Sequence, residues 1–129
     1  AGVTDRTALA VIMGNIQQES NFKPNVCEGG AIVPYDRCLR GGYGLIQWTS
    51  KHRYIGLGSH CAKRNEDPSG LKCQTDYMVH EMRFRKDLHA FQTNHQTVPY
   101  YMNAAYYWLG WGIHGNRTQH TYSFLTKLQ

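Results

Sequence analysis

The chain has 129 residues, 41% of them hydrophobic, with 14 Lys and Arg against 9 Asp and Glu for a formal charge of +5. That length fits one domain, 1–129, with enough chain to bury a core, and no apolar run approaches the roughly 20 residues a helical membrane span needs. Positive charge favours a polyanionic partner, for which nucleic acid and bacterial cell wall both qualify; the basic residues are scattered and no Arg-rich helix, RNA-binding signature or zinc-finger spacing supports the first, but charge alone does not choose.

Ala1 to Arg6 lack the charged start and apolar stretch of a secretory signal, and no initiating Met is present, as expected of an excised domain or a processed product. Ala8 to Phe22 is the first strongly patterned stretch. At about 100° per residue Ala8, Val11, Ile12 and Ile16 share one helical face, and Glu19 projects into the middle of it. Pro24 cannot continue a helix and disfavours helical geometry at Lys23, so Glu19 falls in about the last turn. Partial burial and the negative end of the helix dipole both disfavour a charged carboxylate, so the acid is expected to hold its proton to higher pH than usual. Such a group can protonate a glycosidic oxygen near neutral pH. The plainer alternative is an ordinary exposed last turn.

Asn25 to Gly42 carries Gly29, Gly30, Pro34, Gly41 and Gly42 around the short apolar run Ala31 to Val33, a composition of loops with room for a small hairpin or two. Cys27 and Cys38 lie within it, and Cys61 and Cys73 lie further on. Four cysteines allow three connectivities. Sequential pairing would close two short loops, each stabilising by about 3 kcal/mol in the chain-entropy view, and favours an oxidising or extracellular setting over four reduced thiols. Next, in Gly42-Tyr43-Gly44-Leu45-Ile46-Gln47-Trp48-Thr49, glycines permit close backbone approach, and Tyr43 and Trp48 offer flat faces suited to sugar rings or to a core.

Thr49 or Ser50 can cap a helix running to about Arg64, and Asp67-Pro68 builds the turn from Asn65 to Gly70. Tyr77, Glu81, Phe84, Leu88 and Phe91 keep helical spacing, interleaved with Met78 and Met82, which predicts one helix over Leu71 to Phe91 or two broken near Asp87. Pro99 suits the first turn of a helix through Met102, Ala105 and Leu109. Gly110, Gly112 and Gly115 mark a loop, after which Asn116 can cap a final helix burying Thr121, Phe124, Leu125 and Leu128. The class is α+β, mainly helical with one small irregular or β insert.

Seven histidines invite a metal, yet in His80-Glu81-Met82-Arg83-Phe84 the phenylalanine stands where the zincin helix needs its second ligand, so no metal site is expected. Glu81 is the chief rival acid, read as a partly buried structural carboxylate bonded to a nearby Arg or a helix terminus. Serine elbows, Walker and Rossmann glycine motifs are absent, so neither a nucleotide nor another cofactor is expected.

Gly14-Asn15-Ile16-Gln17-Gln18-Glu19-Ser20-Asn21-Phe22-Lys23-Pro24 followed by the Gly42 to Thr49 segment strongly resembles the phage tail lysozymes, peptidoglycan-degrading members of the lysozyme-like superfamily. Weaker similarity runs through Arg53, the Tyr77 to Met82 helix and the stretch after Arg117, covering nearly the whole chain. The resemblance implies a lysozyme-like fold whose Asn25 to Gly42 insert forms one wall of a sugar cleft. By comparison with the related goose-type lysozymes and lytic transglycosylases, it also implies Glu19 as catalytic acid. Ser20, Tyr43, Gly44, Leu45, Gln47 and Trp48 would serve the substrate. A second carboxylate, when one is used, lies about 5 Å from the acid for retention or roughly 6.5 to 9.5 Å for inversion. Asp36 is the named candidate, with Glu28 beside it. Relatives with a single Glu let the substrate's N-acetyl group assist or form an anhydro product. The chain departs from the pattern at Trp111-Gly112-Ile113, where such proteins often carry Glu-Arg-Pro, and in its cysteine-clipped loops. The implied activity is cleavage between N-acetylmuramic acid and N-acetylglucosamine, in a virion (phage tail or internal component) or an extracellular or periplasmic setting. Peptidoglycan and other virion proteins are the implied partners. The alternatives are a transglycosylase, a chitin-active enzyme and a catalytically silent wall-binding or structural tail domain.

Overall fold

The computed structural model describes residues 2–39, 41–111 and 113–128, with the backbone alone for 86 and 87. Arg40 of the expected insert and Gly112 of the expected loop lie outside the described residues. Five α-helices follow one another among these residues: α1 Arg6–Ser20, α2 Lys51–Lys63, α3 Leu71–Phe84, α4 Val98–Leu109 and α5 Arg117–Leu128. Short 3-10 helices occupy Tyr35–Arg37 and Lys86–Gln92. No described helix is long and apolar enough to cross a membrane. The chain divides into two compact units, one of residues 1–18 and 80–129, the other of residues 19–79.

In the first unit α1 begins at Asp5, whose carboxylate accepts from the backbone N–H groups of Thr7 and Ala8 at 2.8 and 3.3 Å, an N-terminal cap. Its expected stripe is buried at Ala8, Val11, Ile12 and Ile16, together with Asn15. Gly14 lets α5 come close, since a Cβ there would stand 2.5 Å from the Thr121 hydroxyl and 2.8 Å from the Thr121 backbone nitrogen. Beside it Asn15 donates to Val11 O at 2.8 Å and accepts from the Arg117 guanidinium at 3.0 Å, a buried polar pair within an apolar setting. Thr97 caps α4, with Pro99 in the first turn. That helix packs against the Lys86–Gln92 segment and α5, with Phe91, Tyr101 and Trp108 at the centre. In α5 only Arg117 and Thr121 are buried; Phe124, Leu125 and Leu128, expected in the core, are half-exposed.

In the second unit Ser50 caps α2 by accepting from Arg53 N at 3.1 Å. Asp67 shapes the following turn by accepting from Ser69 N through its side chain and Gly70 N through its carbonyl. Cys61–Cys73 then ties α2 to α3, and Cys27–Cys38 staples the insert, the sequential pairing. The insert forms isolated antiparallel bridges, Val26 with Ile32, Cys27 with Tyr43 and Tyr43 with Trp48, and no longer strand occurs among the described residues. Tyr35 anchors it, its ring stacked 4.3 Å from that of Tyr54, while each tyrosine hydroxyl donates to the other's carbonyl.

Helix α3 runs from the second unit into the first and stops at Phe84, before the Asp87 break that the spacing predicts. Its buried face takes in the expected Met78, Glu81 and Met82, adds Gln74 and leaves out Phe84, which is 69% exposed. Pro24 does not itself end α1: the helix stops at Ser20 because Asn21 and Phe22 turn left-handed, at φ 52° and 62°.

Candidate active site

Glu19 lies in the final turn of α1, half-buried, at the end of the helix where the dipole is negative. Its neighbour Ser20 is buried and donates its hydroxyl to the carbonyl of Leu45 at 2.8 Å. One hydrogen bond thus fastens the turn carrying the acid to the Gly-Leu-Ile-Gln segment, and both belong to the same compact unit.

That segment is a tight loop. Tyr43 and Trp48 exchange backbone hydrogen bonds, Tyr43 N to Trp48 O at 3.3 Å and Trp48 N to Tyr43 O at 2.9 Å, and four residues reverse the chain between them. Gly44 sits at φ +84°, and a Cβ there would stand 2.6 Å from the side-chain oxygen of Gln74. A glycine is therefore required both by backbone geometry and by space. Gly44 N donates to Val26 O at 3.0 Å, and Gln47 N to Gly44 O at 3.1 Å. The Gln47 amide donates to Val26 O at 3.1 Å and Gly44 O at 2.9 Å. Gln47 itself is left-handed at φ 53°, held there by these bonds.

Gln74 is a component that the sequence pattern did not single out. It is fully buried on α3, accepts from Leu45 N at 2.9 Å, and donates to Pro24 O at 2.5 Å and Pro68 O at 2.8 Å. One amide therefore joins the segment after α1, the Gly44 to Gln47 loop and the turn before α3. Leu45 is gripped at both backbone ends, its N–H by Gln74 and its C=O by Ser20.

The remaining expected residues fall into distinct roles. Tyr43 and Trp48 are fully buried, so neither presents a ring face for a sugar to stack on; of the two expectations, sugar face or core, the structure shows core. Tyr43 donates its hydroxyl to Val33 O at 2.8 Å, and Trp48 packs 5.6 Å from Tyr77, so both support the loop from behind. Burial raises the Tyr43, Tyr54 and Tyr35 phenols above the ordinary tyrosine value. Asp36 is exposed on the Tyr35–Arg37 helix, in the same unit as Glu19, and Glu28 is exposed too. Glu81 belongs to the other unit, where it is buried, as expected of a structural carboxylate, and accepts from the Trp108 indole at 3.4 Å. Among the described residues no cluster of His, Cys, Asp and Glu is arranged to hold a metal ion.

The structure thus sets a carboxylate at a helix end, joined through its neighbour to a tight glycine-containing loop. The family model for phage tail lysozyme matches residues 1–120, and the chain belongs to that family. It is thereby a phage-associated enzyme of the peptidoglycan-degrading kind. No curated protein and no solved structure matches the chain.

Proposed function

We propose that this protein cleaves the β-1,4 bond between N-acetylmuramic acid and N-acetylglucosamine, with Glu19 as the general acid. The observation that carries the reading is the Ser20 to Leu45 hydrogen bond, which fixes the acid's turn to the loop that the family resemblance assigns to the sugar. Glu19 gives its proton to the glycosidic oxygen as the bond to the anomeric carbon breaks, and positive charge develops on the sugar ring. Half-buried Gln47 offers the substrate its amide oxygen, while Gly44 and Leu45, whose backbone groups are bonded within the protein, set the shape of the loop that carries it. Ser20, Tyr43 and Trp48 act by holding that loop. The family match spans both compact units, which supports one catalytic domain over residues 1–129 with a lysozyme-like α+β arrangement. The disulfides suit work outside a reducing cytosol, in a virion or at the wall it meets, beside other virion proteins.

Asp36 is our candidate for the second carboxylate, as nucleophile or as base for an attacking water. Its exposure on a short 3-10 helix favours keeping a second reading, in which Glu19 works alone and the sugar closes on itself to an anhydro product. Full-length protein on purified sacculi tests both readings. Replacing Glu19→Gln keeps the shape and removes the proton, and turbidity loss should fall by about two or more decades. Mass spectrometry of the released fragments separates hydrolysis from anhydro formation by one water, and loss of the hydrolytic product in Asp36→Asn assigns that carboxylate. Undiminished lysis by folded Glu19→Gln protein would sink the proposal, and wall binding without cleavage would point to a silent binding module.

A further inference from the structure

The first compact unit carries a pocket of about 400 Å³ beside α4 and α5, within the roughly 300–1,000 Å³ typical of small-ligand sites. Its rings are Tyr106 from α4, Trp111 from the loop after it and Tyr122 from α5, and its polar groups include Asn103, His114 and Thr118. Trp111 is held in place. The buried Arg117 guanidinium covers one of its faces at 4.3 Å and is itself fixed by donating to Asn15 at 3.0 Å. Tyr106 and His114 stand nearly perpendicular to Trp111, at 5.4 and 5.9 Å, and the His114 ring nitrogen pairs with the Thr118 hydroxyl at 2.8 Å. Tyr106 and Tyr122 remain 45% and 53% exposed.

The chemistry of this lining narrows its ligand. No Asp, Glu, Lys or Arg lines the pocket among the described residues, so an ionic ligand finds no counter-charge. A neutral ligand with a flat C–H face and a rim of hydroxyl or amide groups finds aromatic faces together with an amide, a hydroxyl and an imidazole. An N-acetylglucosamine-type pyranose is such a ligand. We infer that this pocket is a second, non-catalytic glycan site, which grips the wall polymer while Glu19, carried by the other unit, acts on it. The inference rests on the reading above that the substrate is that polymer. Holding one polymer at two places raises the effective concentration of its bonds without adding to the chemistry.

The probe is N,N′,N″-triacetylchitotriose, titrated into full-length Glu19→Gln protein. Of the three tryptophans, Trp48 and Trp108 are buried and Trp111 alone lines this pocket, so a change in emission on binding chiefly reports Trp111. A saturable change is expected, with affinity about three- to tenfold weaker in Tyr106→Ala and in Tyr122→Ala, the worth of one aromatic contact, and retained in Tyr122→Phe. In the active enzyme, the Tyr106→Ala, Tyr122→Ala double variant should lyse sacculi several-fold more slowly yet turn over soluble oligosaccharide at the parent rate, with an unchanged melting temperature. No emission change, or binding indifferent to both tyrosines, overturns the inference. So does soluble turnover that falls in step, which would make the pocket part of the catalytic groove. Self-association lost in the double variant, without sugar binding, would overturn it by reassigning the surface to a second copy. Since binding is read with Glu19 already replaced, lysis that survives Glu19→Gln removes the proposed function while this titration still stands or falls separately.

Discussion

Replacing Gln74→Met keeps the length of the side chain and removes its amide. Three hydrogen bonds go with it, from Leu45 N and to Pro24 O and Pro68 O. A buried N–H left without a partner costs about 1–3 kcal/mol, and each of the two lost bonds to a part-buried carbonyl about 0.5–1.5, so the sum is about 2–6 kcal/mol. A domain of this size has about 5–15 kcal/mol to lose, so the variant should fold but be weakened. At about 4 °C per kcal/mol, its melting temperature should drop by about 8–24 °C. The effect on activity follows from the same geometry. Leu45 loses its grip at N–H while Ser20 still holds its C=O, so the loop shifts relative to Glu19. At a temperature where both proteins are folded, kcat on soluble oligosaccharide should fall about tenfold, with a smaller change in KM. Gln74→Glu separates hydrogen bonding from packing. A buried carboxylate facing two carbonyls has its pKa raised, so that variant should be the less stable at neutral pH and recover as the pH falls and the group regains a proton to donate. Thermal melts by circular dichroism with parallel kinetics are sufficient, and a Gln74→Met protein that melts within about 4 °C of the parent and keeps its kcat would refute the positioning role.

Gln47→Ala removes the two amide bonds that hold the left-handed turn, and should weaken both oligosaccharide affinity and turnover; unchanged values for both would remove Gln47 from the site. Reduction of the disulfides should lower the melting temperature, with about 3 kcal/mol from each short loop, and weaken substrate binding more than it weakens the fold, because Cys27–Cys38 staples the insert. Non-reduced mass spectrometry with alkylation checks the pairing first, and four alkylated cysteines would refute it. The Tyr35, Tyr43 and Tyr54 phenols have folded pKa values raised by burial, so their contribution is whole below about pH 10 and is lost as the pH climbs past it. Alkaline titration at the phenolate absorbance should show a late group of tyrosines ionising together with unfolding; early, independent ionisation of all nine would contradict the burial.

Local features were legible from the residues alone. The α1 stripe, the Ser50 cap, Pro99 in the first turn of α4, the Asp67-Pro68 turn and the place of Glu19 at a helix end all arise from interactions within a few positions, which leave periodic or capping traces in a sequence. The mostly helical class and the family followed from the same order of motifs. What only the tertiary structure decided involves residues far apart in the chain. Gln74 reaches Leu45 and Pro24 across 29 and 50 positions, and Arg117 reaches Asn15 across 102, and no local pattern marks such partners. The buried face of α3 is a similar case. Gln74, Met78 and Glu81 compete with Tyr77, Glu81 and Phe84 for nearly the same helical stripe, and only the packing partners choose the first and leave Phe84 in solvent. Tyr43 and Trp48 could have faced a sugar or a core by composition, and the Tyr43–Trp48 bridge turned both inward. The neighbourhood of Glu19 was set in the same way: the motif names the acid, and the hydrogen bond from Ser20 to a carbonyl 25 positions away determines what it stands beside.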